Sequence, residues 1–370
     1  MEDSKKKKQK KNKRPLFILG TFFVFFILFI SLISMSSKSE SAKEELNACS
    51  SIEEVKQVWL SHKKELYKDE DFIAAVKAKL ISFNLKDRDV ANCIKWLPPV
   101  PTSLNIIVVP DLSGRIIDQV NNPGQIAVDK VLIRYIWDIF RESTQFKKGT
   151  KDRMMIDVTD SGQAGGQFRT VADSLVFDLS LNNKAKINKF YFDLKAPTFY
   201  SSLDKIYNLA EKEPLGANYW TYFNRNLPDR ILPPDLYNNY RNVLVLLTDG
   251  YLEAETKEET GRAYYTGTYY ERQKYCNNGP YKIEAIEDCK KHFPNLEVLV
   301  LEVTPRKAGS KFEKIDIGTK CDQDILLQQW QNWFELLEIK NARDDNFKLH
   351  DNTIHITKEK IKRFLKSNGM

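Results

Sequence analysis

Two apolar runs, each closed by an aspartate, constrain this chain more than any other feature in it. Asn105-Ile-Ile-Val-Val-Pro-Asp111 and Asn242-Val-Leu-Val-Leu-Leu-Thr-Asp249 are continuous rather than alternating in polarity. Strands of a parallel α/β sheet look like this because helices cover them on both faces. In such sheets ligands sit where the strands end, at the carboxyl edge. Asp111 and Asp249 are therefore expected to stand together at one rim, with Ser113 two residues beyond the first. Oxygen atoms of that kind can hold a small hard cation, and Mg²⁺ is the natural candidate.

Asp111-Leu-Ser113-Gly-Arg115 after one strand and Leu246-Leu-Thr-Asp249-Gly250 after the other resemble the von Willebrand factor type A domain. The resemblance implies a Rossmann-like, doubly wound, mostly parallel sheet with helices on both faces and a metal-ion-dependent adhesion site at its carboxyl edge. That site's first motif, Asp-x-Ser-x-Ser, matches at Asp111 and Ser113 and departs at Arg115. Its last motif matches at Asp249, and its threonine position falls best on Asn218 of Gly216-Ala-Asn218-Tyr-Trp220. By resemblance, Asp111, Ser113, Asn218 and Asp249 would hold Mg²⁺ directly or through water, and an acidic side chain of a protein partner would fill an open position. The likeness spans residues 104–367 in outline and is specific only near the two aspartates.

Arg115 leaves two readings. A guanidinium about 5 Å from a divalent cation is repelled by roughly 7 kcal/mol at an effective dielectric near 20, so the two cannot share the site. Either Arg115 swings outward and water takes its coordination position, or it folds inward as an ion pair with Asp111 and Asp249 and replaces the metal. In the second case Arg115 itself would pair with the partner's carboxylate.

The first part of the chain is not ordinary globular sequence. Residues 1–14 are a basic tail contributing +6 of the formal +7, which leaves the remainder near neutrality and gives no basic surface for nucleic acid. Leu16 to Ile33 is an uncharged stretch of 18 residues, long enough to cross a bilayer core of about 30 Å. Residues 15–36 are thus expected to be a single-pass anchor, with the amino terminus cytoplasmic and the main domain outside, periplasmic in a Gram-negative cell. A cleaved signal peptide is the competing reading. A stalk over 37–50 and a helical segment over 51–97 follow. Ser51-Ile-Glu-Glu54 has the capping-box pattern, and Pro98, Pro99 and Pro101 end the helices.

Beyond them the pattern alternates. Strands are expected at 106–109, 154–158, 174–179, 189–193, 243–247, 297–303 and 353–356, and helices at 125–143, 200–212, 283–292, 322–339 and 358–366. Five cysteines without a Cys-x-x-Cys pair suit an oxidising compartment rather than a zinc site. Cys49 with Cys93 and Cys276 with Cys289 are the expected bridges, leaving Cys321 free; five buried thiols are the alternative.

The segment after Asp249 holds Glu253, Glu255, Glu258 and Glu259, then Tyr264, Tyr265, Tyr269, Tyr270, Tyr275 and Tyr281. Tyrosine density of this kind gives rigid amphipathic contact area. Leaving the strand at its carboxyl end, the segment would rim the crevice and, with Arg115, offer a partner-binding surface; equally, its tyrosines would cover the domain's own core. Enzyme chemistry has less support. Leu247-Thr-Asp249-Gly-Tyr-Leu252 resembles the haloacid dehalogenase phosphatase loop but has Leu247 at the nucleophile position. Ser161-Gly-Gln-Ala-Gly-Gly166 lacks the lysine of a P-loop, His350 and His355 lack zinc-site context, and Ser113 lacks a nucleophile elbow. The expected role is a membrane-anchored protein-binding module. The alternatives are a metal-dependent hydrolase at the membrane surface, with Asp111 and Asp249 positioning a metal-activated water, and a metal-free structural subunit of an envelope assembly.

Overall fold

The computed structural model describes residues 38–159, 165–182, 186–252, 266, 272–274, 276, 291–306, 319–340, 347–349 and 354–366. The basic tail, the expected anchor at 15–36, the tyrosines of the insertion, Cys289, His350 and nearly all of the helix expected at 283–292 lie outside those residues. Among the described residues no helix is long and apolar enough to cross a membrane.

The chain forms two compact units, one of the residues before Pro101 together with Pro234–Tyr237 and one of the rest. The first is helical: α1 over 38–48, α2 over Ile52–Leu66, α3 over Glu70–Ile81 and α4 over Asp87–Ile94; α1 occupies most of the segment expected as a stalk, because Ala42 and Leu46, one turn apart, are buried in the unit's core. Ser51 caps α2 by accepting from Glu54 N, while the Glu54 carboxylate reaches past Ser51 to accept from Ser50 N at 2.6 Å. Apolar side chains at helical spacing, Val55, Trp59 and Leu66 on α2 and Phe72, Val76 and Leu80 on α3, close a shared core. Trp59 sits at its centre, stacked on Phe72 and donating Nε1 to Trp96 O at 2.9 Å. Cys49 and Cys93 are free thiols in this core, not the expected bridge, and burial pushes both thiols' pKa values up.

The second unit is the expected α/β fold. In chain order it comprises β1 (Thr102–Pro110), α5 (Gln125–Thr144), β2 (Arg153–Ile156), α6 (Gly165–Asp173), β3 (Val176–Asp178), α7 (Lys189–Lys212), the short α8 (Tyr219–Thr221), β4 (Asn239–Leu247), β5 (Leu296–Val303), α9 (Thr319–Leu336), β6 (Phe347–Leu349) and α10 (Ile354–Lys366). The six-stranded sheet has the order β3-β2-β1-β4-β5-β6, parallel except for β3 against β2. Side chains alternate between two cores, as the period of a strand requires. Ile106, Val108, Val243 and Val245 meet α5 and α7 through Trp137, Phe199 and Leu203. Ile107, Val109, Leu244 and Leu246 meet Tyr219, Tyr222 and, on α9, Trp330 and Trp333.

Three expected elements come out differently. Lys189–Asp193, expected as a strand, opens the long helix α7; Phe192, Phe199, Leu203 and Ile206 are its buried stripe, and Pro197 lies within it. Of residues 353–356, also expected as a strand, the described 354–356 open α10, whose buried Thr357, Ile361 and Leu365 follow a four-residue step; the sheet's sixth strand is instead Phe347–Leu349. The disulfide joins Cys276 to Cys321, not to Cys289.

Candidate functional site

β1 and β4 are neighbours whose chains continue to opposite sides of the sheet, β1 toward β2 and β4 toward β5. The crevice between their carboxyl ends is therefore the topological switch point, where ligands bind in open α/β sheets. Pro110 is in register with Leu247, and Asp111 N donates to Leu247 O at 2.8 Å. That pairing sets Asp111 beside Thr248, whose hydroxyl donates to Asp111 Oδ2 at 2.9 Å. The other oxygen, Oδ1, accepts from Ser113 N at 2.9 Å, the local turn that aspartate favours. Ser113 Oγ in turn accepts from Arg115 N.

This turn aims Arg115 inward. Its guanidinium is buried, with Nε 3.7 Å from Asp111 Oδ2 and Nη2 2.8 Å from both Asp129 Oδ2 and Leu247 O. Asp129, also buried, is one turn into α5 and accepts further from Gln125 Nε2 at 2.7 Å and from Tyr207 OH at 3.0 Å. Burial alone would favour a neutral arginine, but Asp129, then Asp111, outweigh it and raise the Arg115 pKa. Burial pushes the Asp129 carboxyl up to about 6, opposed chiefly by Arg115. The Tyr207 and Tyr219 phenols, buried near these carboxylates, are held well above their ordinary range, desolvation being the larger cause.

Asp249 lies in the same electrostatic neighbourhood, since it and Asp111 both act on Arg115 and Tyr219. Its immediate partner is a different cation, however. Arg306, just beyond β5, places Nη2 and Nε 3.2 and 3.3 Å from Asp249 Oδ2 and lies 4.0 Å over the Tyr251 ring. Tyr251 N donates to Asp249 Oδ1, and Tyr251 OH donates to Asp322 and accepts from Arg306 N. Arg272 pairs with Asp322 at 2.9 Å beside the disulfide-bonded Cys321. Gly250, with φ of +98°, lets the chain turn past Val303, and Trp330 Nε1 donates to its carbonyl at 2.8 Å.

The inward reading of Arg115 thus describes the geometry, with partners rearranged: Arg115 pairs with Asp111 and Asp129, and Asp249 with Arg306. Asn218 lies in the loop beside Asp111, where Leu215 N donates to Leu112 O at 2.9 Å, and its Oδ1 caps α8 by accepting from Thr221 N. This donor set does not fit Mg²⁺. Asp111 already accepts two hydrogen bonds, Asp249 faces a guanidinium, and the buried positive charge of Arg115 stands 3.7 Å from the first carboxylate. Among the described residues no group of three or more acidic, histidine or cysteine side chains is placed to hold a metal ion.

Three members of the site were not legible as such. Asp129 sits within the apolar stripe of α5, and that misplaced charge was the available signal. Arg306 follows a strand end without any motif. Asp157, directly after β2, is a third buried carboxylate at the carboxyl edge, accepting from Arg169 Nη1 at 2.5 Å, Arg230 Nε at 2.8 Å and Tyr222 OH at 3.2 Å. Tyr264, Tyr265, Tyr269 and Tyr270 lie outside the described residues.

No family model matches the chain, and no curated protein does. Among solved structures it is similar to the crystal structure of an aerotolerance-related membrane protein from Bacteroides fragilis NCTC 9343 with multiple mutations to serines. The identity is 12% over 72% of this chain and 99% of that one, with a TM-score of 0.32.

Proposed function

We propose that this protein is a membrane-anchored, protein-binding module with a type A-like sheet, in which a buried arginine stands where the adhesion-site cation would be. One observation carries the reading: Arg115, at the position of the motif's last serine, is folded between Asp111 and Asp129 at the switch point. A fixed guanidinium balances the carboxylates there, so the turn after β1 is tied to α5 without a metal. Because Arg115 is buried, the partner's carboxylate does not reach it. Contact falls to the rim, where Arg306 covers Asp249 and where the tyrosine-rich insertion leaves β4. The chemistry is recognition: a metal-activated water would need the position that Arg115 fills.

The anchor is residues 15–36, with the main domain on the extracytoplasmic side. The test is photo-crosslinking in the native cell, with benzoylphenylalanine placed in the full-length chain at Tyr264, Tyr265, Tyr269 or Tyr270. Discrete protein adducts from these positions, unchanged by a chelator, are expected. Their absence at all four positions contradicts a recognition role for the rim, and their loss on chelation contradicts the metal-free version.

A further inference from the structure

The amino edge of the sheet carries an apolar patch that neither the core nor the carboxylate site uses. Buried Asn188 donates from Nδ2 to the carbonyls of Thr144 and Lys147, at 3.2 and 3.1 Å, and accepts from Asn182 Nδ2 at 2.7 Å. It thereby ties the end of α5, the turn after β3 and the start of α7 together, and Lys189 N donates to Gln145 O at 2.8 Å in the same place. Large side chains flanking this knot face outward: Phe146 is 68% exposed, Leu181 83%, Phe190 67% and Leu194 67%. Phe190 and Leu194 are one turn apart and share a face of α7, while Phe192 and Phe199 of the same helix enter the core. Scattered exposed hydrophobics need no explanation, but a group of four gathered at one edge marks an interaction surface.

The rim of the patch says what it meets. Lys148, Lys186 and Lys189 are exposed around it, and Lys147 is held by Asp152 at 3.2 Å. Acidic groups near it are Asp193, Glu142, exposed four residues before Phe146, and the half-buried Asp178, which accepts from Ser180 N. Apolar side chains ringed by lysine are the chemistry of an anionic bilayer interface. Asp152 also accepts from Leu104 N at 2.6 Å, so the patch lies at the edge where β1 begins.

We propose that this patch seats the sheet on an anionic lipid bilayer, with Phe146, Leu181, Phe190 and Leu194 among the acyl chains and Lys148, Lys186 and Lys189 at the lipid phosphates. The choice of a bilayer rests on the proposed anchorage through residues 15–36. Its consequence is orientation: the carboxylate site, at the far end of strands roughly 30 Å long, is turned away from the membrane and toward a partner.

The test places the full-length chain in vesicles of phosphatidylcholine, with or without phosphatidylglycerol, doped with a phospholipid bearing an acyl-chain diazirine, and maps adducts by mass spectrometry. Adducts are expected on peptides holding Phe146, Phe190 and Leu194, about tenfold more abundant with phosphatidylglycerol. They fall severalfold in Phe190→Asp/Leu194→Asp and in Lys186→Glu/Lys189→Glu. These side chains are exposed, so circular dichroism and Tm of both variants match wild type. No adduct at the patch in either lipid overturns the proposal, and adducts confined to residues 15–36 then leave the anchorage standing alone. Adducts at the patch with none at 15–36 support the patch and remove the anchor. Equal labelling in both lipids overturns the anionic-lipid assignment. A concentration-dependent dimer in detergent, lost in Phe190→Asp/Leu194→Asp and unaccompanied by lipid adducts, gives the face to a second copy and overturns the proposal as well.

Discussion

Arg115 Nη2 lies 2.8 Å from Asp129 Oδ2, with both side chains out of reach of solvent. One residue comes from the loop after β1 and the other from one turn into α5, so the pair locks that loop onto the helix that follows it. Removing one partner of such a pair leaves an uncompensated buried charge, which costs about 3–5 kcal/mol. Asp129→Leu is expected to destabilise by that amount in urea unfolding. Arg115→Met/Asp129→Leu is expected to cost less than the two single changes added together. Additive costs in the double-mutant cycle would show that the pair is not coupled.

The Asp129 carboxyl also sets a pH dependence of unusual sign. Its pKa in the folded protein is pushed up to about 6, above the value of about 3.9 in an unfolded chain. The folded state therefore binds the extra proton in between. The resulting stability is full below about pH 4 and is lost as pH rises through 6. Tm of wild type minus that of Asp129→Asn, followed from pH 4 to 7, should fall across this window. A difference that rises with pH would place the folded pKa below the ordinary value instead.

Gly250 follows the second aspartate with φ of +98°, and a Cβ there would lie 2.8 Å from Val303 Cγ1. Gly250→Ala combines backbone strain with a clash and is expected to cost about 1–3 kcal/mol. Adding Val303→Ala should not restore stability, because the backbone strain remains and a core methyl pair is lost. Full recovery in the double variant would assign the whole cost to the clash.

The Cys276–Cys321 bridge closes a separation of 45 residues, for which chain entropy gives a stabilisation of about 4 kcal/mol. Cys276→Ser/Cys321→Ser should lower the urea midpoint accordingly, while alkylation of the native protein should leave buried Cys49 and Cys93 unmodified. A bridge found by peptide mapping at Cys289 would overturn this connectivity.

What the sequence disclosed and what it hid differ by the range of the interaction. β1 and β4 were readable because strands covered on both faces need unbroken apolar runs; the aspartates that follow them both act electrostatically on Arg115 and Tyr219 but take different cations as partners. Lys189–Asp193 read as a strand because Phe190, Tyr191 and Phe192 are aromatic. The four-residue step that defines α7 emerges only when Phe199, Leu203 and Ile206 are added, and Pro197 obscures it. Residues 353–356 misled in the same way, through a short alternation that a longer amphipathic helix overrode. Disulfide partners and the arginines that meet Asp157 and Asp249 are set by tertiary contacts, on which local pattern has no bearing. Asp129 was within reach, since a carboxylate on the apolar stripe of a helix needs a buried hydrogen-bond or ion-pair partner.

The most direct test of a cation replaced by Arg115 is the Tm of the full-length protein in detergent, with and without Mg²⁺, for wild type and for Arg115→Ser. A ligand that binds only the folded state raises Tm. Wild type should show no shift with Mg²⁺ or with chelator. Arg115→Ser, which frees Asp111 and Asp129 and restores the serine of the motif, should start lower and gain stability with Mg²⁺. A wild-type Tm that rises with Mg²⁺ and falls on chelation would contradict the account.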